Sequence, residues 1–525
     1  MNETTEINRE YISFMKKMEK YIPHPITIFI VLTLLTIIIS EIAAHFGLSV
    51  NYDFINETGQ VQMQQISVRS FLNAEGLRYI FDNMIGVFIT FEPLAIILIA
   101  ILGVGVAEGS GFLKSILKWI AIKSPAKLTT ATVILAGIIS TIVTDVGYVF
   151  VIPLAGLIFL SYGRHPISGI LAAFFGVTVG YGANLMVGPI DAILSGYTTS
   201  AAQIMDSTYH VSIIGNWFFM IVSTFVMVIL GTLVTEKIIE PKLGRYKKKD
   251  EVEEFDFKPN EKRGLLFAAI AIIIYLVIIV YSIIPDLPFS GVLLDSTKTI
   301  YADQLLGPDS LFQRGIVILV SLLFLIAGIF YGICAKTIKN DKDVYNMMAQ
   351  SVNTIGQYIV LIFFAAQFLH LFKVTNLGTI LTVTLANHIY SWNFTGLPLL
   401  VMFILIVAFI NLFLTSPTIK WSIISPIFVP IFMQLGLTPE FTQMLYRIGN
   451  ATTNMITPLL IYFPLIVGFA NKYVEDKNRP FSVGKLIFLM FPYAIITLII
   501  WTLFIILWMY LGIPLGPSAP IYIAP

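Results

Sequence analysis

Residues 414–460 read LTSPTIKWSIISPIFVPIFMQLGLTPEFTQMLYRIGNATTNMITPLL, and the polar breaks in this stretch decide the fold. An apolar run is interrupted first at Thr415, Ser416, Thr418, Lys420 and Trp421. A second run is interrupted around Arg447, Gly449, Asn450, Asn454 and Pro458. Charged side chains at a depth where hydropathy predicts hydrocarbon pair with one another, line water or bind a ligand.

The rest of the chain makes that depth credible. Of 525 residues, 57% are hydrophobic and only 12% charged, with a mean hydropathy of +0.85. This is about half the charge of a soluble domain, so the composition implies an integral membrane protein. A net charge of +1 gives no basic excess for nucleic acid, and the single cysteine, Cys334, excludes an intrachain disulfide or a cysteine-based zinc site. The first apolar run, 26–46, is long enough to remain as a span, and no cleavable leader is evident before it. The apolar runs are continuous, not alternating, so the spans are helices and not the strands of a barrel.

In chain order, an N-terminal segment (1–24) precedes a first half (25–236), a charged loop (237–263) and a second half (264–525). Spans are expected at 26–46 and 84–106, with a polar stretch at 51–69 between them and a Lys-rich interfacial helix at 112–122. Residues 126–160 form two apolar arms too short to cross singly, joined by Thr144-Asp145-Val146-Gly147-Tyr148. A spanning helix needs ~20 residues, so this reads as a re-entrant hairpin. Residues 167–202 follow as a helix broken at Gly180-Tyr181-Gly182-Ala183-Asn184 and at Gly188-Pro189-Ile190-Asp191. The second half repeats the pattern: a hairpin at 397–433 and a broken helix at 439–469. Further spans are expected at 216–234, 265–284, 311–334, 357–371 and 486–511.

The positive-inside rule tests this parsing. It places the loop at 237–263 in the cytoplasm, together with the N-terminus and the Lys472–Lys485 region, and leaves the C-terminus outside. Nine spans and two hairpins satisfy it, and the two hairpins then enter from opposite sides. The expected fold is therefore all-α and membrane-embedded, with an inverted repeat of hairpin and broken helix. Such a repeat points to a secondary transporter whose substrate and ion sites lie near the midplane.

The motifs TDVGYV (144–149), ANLMVGPIDAILSG (183–196), SPTIKW (416–421) and YRIGNATTNMITPL (446–459) together resemble the aminobenzoyl-glutamate transporter (AbgT) family of the ion-transporter superfamily, over essentially the whole chain. The resemblance implies a homodimer in a prokaryotic cytoplasmic membrane. It also implies nine spans and two hairpins per protomer, uptake of p-aminobenzoyl-glutamate and, for some members, export of sulfonamide antimetabolites. Two positions depart from the family pattern. Pro417-Thr418-Ile419 stands where Ala-Ser-Ala is usual, and Asn450 stands where Asp is usual, which bears on proton coupling.

Physical roles follow from residue chemistry. The planar fork of Arg447 suits a substrate carboxylate, and Trp421 offers a ring for stacking. Ser416, Thr418, Asn450, Pro458 and Asp191 complete the expected substrate set. Lys420 either binds a second carboxylate or serves structurally. A sodium ion requires hard oxygen donors. Thr144, Asp145, Gly180, Asn184 and Gly188 offer them in one repeat, and Thr415, Gly449 and Asn454 in the other. The coupling ion is expected to be sodium, with the proton as the alternative, and no cofactor is implied. Asp145 and Asp191 lack a catalytic context and no Ser-His or Cys-His arrangement occurs, which disfavours an intramembrane hydrolase; a channel would not need the inverted hairpins.

Overall fold

The computed structural model describes residues 25–55, 61–122, 125–142, 147–246, 258–306, 310–354, 356–391, 396–457, 459–460, 462–475 and 480–523. Helix α1 (Pro25–His45) leads into an antiparallel hairpin of β1 (Ser49–Ile55) and β2 (Val61–Ser67), paired from Ser49↔Ser67 to Ile55↔Val61. Then come α2 (Ala74–Ile89), α3 (Glu92–Gly109) and α4 (Phe112–Ile122). The first hairpin consists of α5 (Thr129–Ser140) and α6 (Ile152–Ser161), the latter entered through a π-helical turn at Gly147–Val151. The first broken helix is α7 (Pro166–Val179) and α8 (Pro189–Ala202). Helices α9 (Trp217–Val234), α10 (Pro259–Ser282), α11 (Ile316–Ala335), α12 (Asp341–Thr354), α13 (Gly356–Val374) and α14 (Leu377–Ser391) follow. The second hairpin is α15 (Leu397–Asn411) and α16 (Pro417–Gln434), the second broken helix α17 (Pro439–Asn454) and α18 (Phe463–Asn471), and α19 (Val483–Tyr510) closes the order.

Among the described residues, six helical stretches are long and apolar enough to cross a membrane, or seven if α13 and α14, bent by 69° at their junction, form one span. The arms α5 and α15 are apolar but too short for this. Large apolar side chains on the outside, such as Phe225, Ile229 and Phe488, stay exposed, while charged and amide groups are buried. That distribution suits hydrocarbon outside and a polar centre within.

Local chemistry sets the breaks. Proline stands at the first or second position of α7, α8, α15, α16, α17 and α18, where its missing N–H costs nothing and its fixed φ favours helix entry. His165 caps α7 through Nδ1, which accepts from Ile167 N at 3.2 Å. Arms α5 and α6 pack on α7, and α15 and α16 pack on α17. Gly176 makes the first of these contacts possible, since a Cβ there would lie 2.4 Å from the Ile134 carbonyl oxygen. All residues of α7 and α17 are buried.

Three segments differ from the sequence expectation. The polar stretch at 51–69 folds largely as the β1–β2 hairpin, anchored where Arg69 N donates to Thr375 O (3.1 Å) and Asn376 Nδ2 to Ser67 O (2.9 Å). The span expected at 84–106 begins earlier, as α2 and α3. The span expected at 357–371 continues through Val374 and bends into α14, which had no separate signal.

Gly176→Ala is expected to lower the melting temperature of the detergent-solubilised protein, because a backbone oxygen cannot step aside; overpacking of this kind costs ~1–3 kcal/mol. Gly468→Ala in α18, where a Cβ meets nothing within 4 Å, should be neutral or stabilising through helix propensity, by up to about 1 kcal/mol. Equal melting shifts for the two variants would contradict the packing assignment.

Candidate functional site

The site is built on α17, whose sequence is among the most polar of any buried helix here. Glu440, Thr442, Gln443, Arg447, Asn450, Thr453 and Asn454 all lie inside the protein. Each unpaired polar group in such surroundings costs several kcal/mol in order of magnitude, so the neighbouring elements must supply partners.

Arg447 is 1% exposed and its Nη2 lies 2.6 Å from Asp191 Oδ1. Its Nη1 donates to the Tyr181 carbonyl at 3.0 Å. Asp191 is the third residue of α8, and its other oxygen accepts from Gly188 N at 2.6 Å, closing the helix start. One carboxylate therefore serves both as cap and as counter-ion. Gly182 allows the break in the first broken helix to approach, because a Cβ there would meet the Trp501 ring at 2.8 Å and the Arg447 Cβ at 3.5 Å. Two buried groups on α17 remain: Arg447 Nε, and both side-chain atoms of Asn450, make no hydrogen bond to any described residue. Arg447 and Asn450 are three residues apart and so are neighbours on the helix surface.

A second cluster surrounds Lys420, which is fully buried. Its Nζ donates to Asn411 Oδ1 and, at 3.2 Å, to the Leu414 carbonyl, and lies 5.8 Å from the Tyr446 ring centre. Asn411 is held by its Nδ2, which donates to Asn454 Oδ1 (2.9 Å), Thr453 Oγ1 (3.0 Å) and Asn450 O (3.0 Å). Trp421, also fully buried, stacks on Tyr446 at 4.4 Å, and its Nε1 donates to Thr198 Oγ1 at 2.9 Å. Thr198 in turn donates to Gln443 Oε1 at 2.8 Å. One face of the indole is thus covered by Tyr446 before any substrate arrives.

The first hairpin presents the counterpart of this cluster. Asn184 Nδ2 donates to Ile138 O (3.1 Å) and Thr141 Oγ1 (2.9 Å), and Thr141 Oγ1 lies 3.1 Å from Gly180 O. In both units an asparagine of the broken helix locks onto the end of the first hairpin arm.

The structure brings Arg447 to Asp191, Lys420 to Asn454 through Asn411, and Asn184 to Gly180 through Thr141. Ser416 stands at the start of α16 and its hydroxyl lies 3.5 Å from that of Thr418. Gly449 packs against α15, where a Cβ would meet Ile404 O at 2.6 Å. Thr415 is half-buried at the tip of the second hairpin. Thr144, Asp145 and Pro458 lie outside the described residues. Sequence reasoning missed Asn411, Thr141, Thr198 and Tyr446. Asn411 and Thr141 carried a usable signal, as polar residues closing an apolar arm. A small apolar cleft lies against Gly188 and Pro189, walled by Val104 and Val320, but Arg447, Asn450 and Trp421 do not line it.

At the start of α17, Tyr209 donates to Glu440 Oε2 at 2.9 Å. Burial, reinforced by the Glu440 charge, pushes the Tyr209 hydroxyl up from its ordinary value, so it stays a donor.

Asp191→Leu would leave the guanidinium buried without a carboxylate, and breaking such a pair costs ~3–5 kcal/mol. The double variant Asp191→Leu/Arg447→Met is expected to regain most of that loss. Thermal unfolding of the four proteins checks this; a single variant as stable as wild type would mean that the pair does not hold α8 to α17.

Comparison with known proteins agrees with this architecture. The profile of the AbgT putative transporter family matches residues 10–523. The p-aminobenzoyl-glutamate transport protein of Escherichia coli K12 is 33% identical over 505 residues, 96% of each chain. The structure superposes on the YdaH transporter of Alcanivorax borkumensis with a TM-score of 0.85 at 36% identity, covering 94% of this chain and all of that one. It superposes on MtrF of Neisseria gonorrhoeae, described among antimetabolite efflux pumps, with a TM-score of 0.87 at 40% identity, covering 97% and 100%. The buried polar centre, the two hairpins and these matches across nearly the full length make the chain a member of the AbgT family of membrane transporters.

Proposed function

We propose that this protein is a secondary transporter that moves p-aminobenzoyl-glutamate, or a related aromatic dicarboxylate, across the cytoplasmic membrane by alternating access, coupled to a sodium gradient. The observation that carries this reading is the set of orphaned groups at Arg447 Nε and Asn450. Buried donors and acceptors without partners call for a ligand or water. A benzoyl-glutamate supplies what they lack: carboxylates for the guanidinium and the amide N–H, and an amide N–H for Asn450 Oδ1. The indole edge of Trp421 and the Tyr446 and Tyr181 rings set an aromatic wall beside them.

Sodium is favoured over the proton because Asn450 cannot titrate where the family pattern has an acid. The oxygens of Ile138, Thr141 and Gly180, which the Asn184 amide nitrogen gathers at the end of the first arm, are of the donor type that a hard monovalent ion requires. The reading includes nine spans, with each broken helix counted as one crossing, an inverted repeat, a homodimer, a cytoplasmic N-terminus and an external C-terminus. Export of sulfonamide-type antimetabolites is the second reading, supported by the likeness to MtrF. An intramembrane hydrolase finds no support in the groups around Asp191, whose carboxylate is committed to Arg447 and Gly188.

In proteoliposomes, wild type is expected to accumulate labelled p-aminobenzoyl-glutamate under an inward sodium gradient. Arg447→Lys, which keeps the charge but loses the fork, should reduce uptake by at least about tenfold, equivalent to ~1.4 kcal/mol. Asn450→Asp should add a dependence on pH. Equal uptake in choline with only a proton gradient would reject sodium coupling, and undiminished uptake by Arg447→Lys would reject the substrate assignment.

A further inference from the structure

We infer that the Lys420 ammonium is a tethered cation occupying the ion position of the second hairpin, so that only the first hairpin's oxygen cluster is open to a mobile sodium ion. The second half of this statement rests on the sodium-coupling reading above; the first half does not.

The two units are built alike but charged differently. Each has an arm ending in an oxygen-rich turn, clamped by an asparagine from the adjoining broken helix: Asn184 on Ile138 and Thr141, Asn454 on Asn411. Residues 141–151 contain one acid, Asp145, and neither Lys nor Arg, whereas residues 412–425 contain one base, Lys420, and neither Asp nor Glu. Charge at the second tip is therefore supplied by the chain itself.

The surroundings of Lys420 are those of an ion rather than of a salt-bridge partner. No carboxylate among the described residues lies within salt-bridge distance of it. Its ligands are neutral oxygens, the Asn411 side chain and the Leu414 carbonyl, with the face of Tyr446 on another side. A lysine ammonium is a compact point charge on a flexible stem, so it presents to these oxygens the same charge as a bound monovalent metal. Asn411 is held in this orientation, because its amide nitrogen faces three acceptors on α17 within 3.0 Å and its two hydrogens are taken up there. A snorkelling lysine would instead reach the interface with its head group; this one is wholly buried.

The inference predicts that removing the tether exposes a seat for sodium. Lys420→Ala and Lys420→Met are compared with wild type by thermal unfolding in detergent, in sodium chloride and in choline chloride at equal ionic strength. Lys420→Ala should melt lower than wild type in choline and gain more from sodium than wild type does, since a ligand that binds only the folded state raises its melting temperature. Lys420→Met, whose stem still fills the position, should lose stability without that added sodium gain. A Lys420→Ala protein whose sodium shift is no larger than wild type's overturns the inference. Should it not survive purification in choline, its yield of folded protein after solubilisation in sodium against choline is the readout, and equal yields overturn the inference. A sodium shift in wild type that is unchanged in Lys420→Ala would leave sodium coupling standing while removing the tethered cation. A shift seen only in Lys420→Ala would do the reverse.

Discussion

The structure depends on one ion pair taken out of water. Arg447 and Asp191 meet at 2.6 Å between two helices that each start at a proline-marked turn, α17 and α8. Neither residue can be left alone there, because an isolated buried charge costs far more than a lost surface contact. The pair therefore fixes how the two broken helices sit, and the rest of the centre follows. Gly182 brings the backbone break close enough for Tyr181 O to reach the guanidinium. Trp501, packed on the same glycine, donates to Ser223 and so draws α19 and α9 into contact with the site.

Around this pair, polar groups are arranged as closed sets, which is the only economical arrangement in a medium that offers no water. Asn411 joins three acceptors on α17 and accepts from Lys420. Trp421, Thr198 and Gln443 form a second set. What stands out is where closure fails, at Arg447 Nε and at Asn450. Other buried atoms such as Ser425 Oγ and Thr497 Oγ1 are left open too, but Arg447 and Asn450 stand three residues apart on one helix beside a buried ion pair, which is why the transport reading is anchored there and not at the apolar cleft beside Gly188.

Much of this was legible in the sequence, for physical reasons that can be named. Pro and Gly mark the breaks because they alone remove or free backbone groups, so the apolar runs parsed at 126–160, 167–202, 397–433 and 439–469 end within a few residues of the ends of helices α5–α8 and α15–α18. Arg447 and Lys420 were visible as charges out of place. Their partners were not, since a sequence shows that a buried cation needs compensation but not which distant acid, amide or carbonyl supplies it. Asn411 was visible only as a polar residue closing an apolar arm, with no sign of what it binds, and the β1–β2 hairpin was hidden inside a polar stretch, where pairing is decided by contacts with Thr375 and Asn376 far along the chain.

The two broken helices are held at their starts by different means, and this bears on what can move. Before α7, Arg164 pairs with Glu240 at 2.8 Å and Glu236 at 3.3 Å, and Thr130 at the head of α5 donates to the same Glu236. Before α17, Thr438 donates through N to Ile521 O and through Oγ1 to Pro520 O, so the C-terminal tail clasps the turn. With both starts anchored, displacement in the proposed cycle would be taken up at the breaks, next to the Arg447–Asp191 pair. In the proposed cycle, parting α8 from α17 would strand the guanidinium unless another anion replaced Asp191. A substrate carboxylate is such an anion, and its arrival would turn a locked pair into an exchangeable one, linking binding to movement through a single desolvated charge.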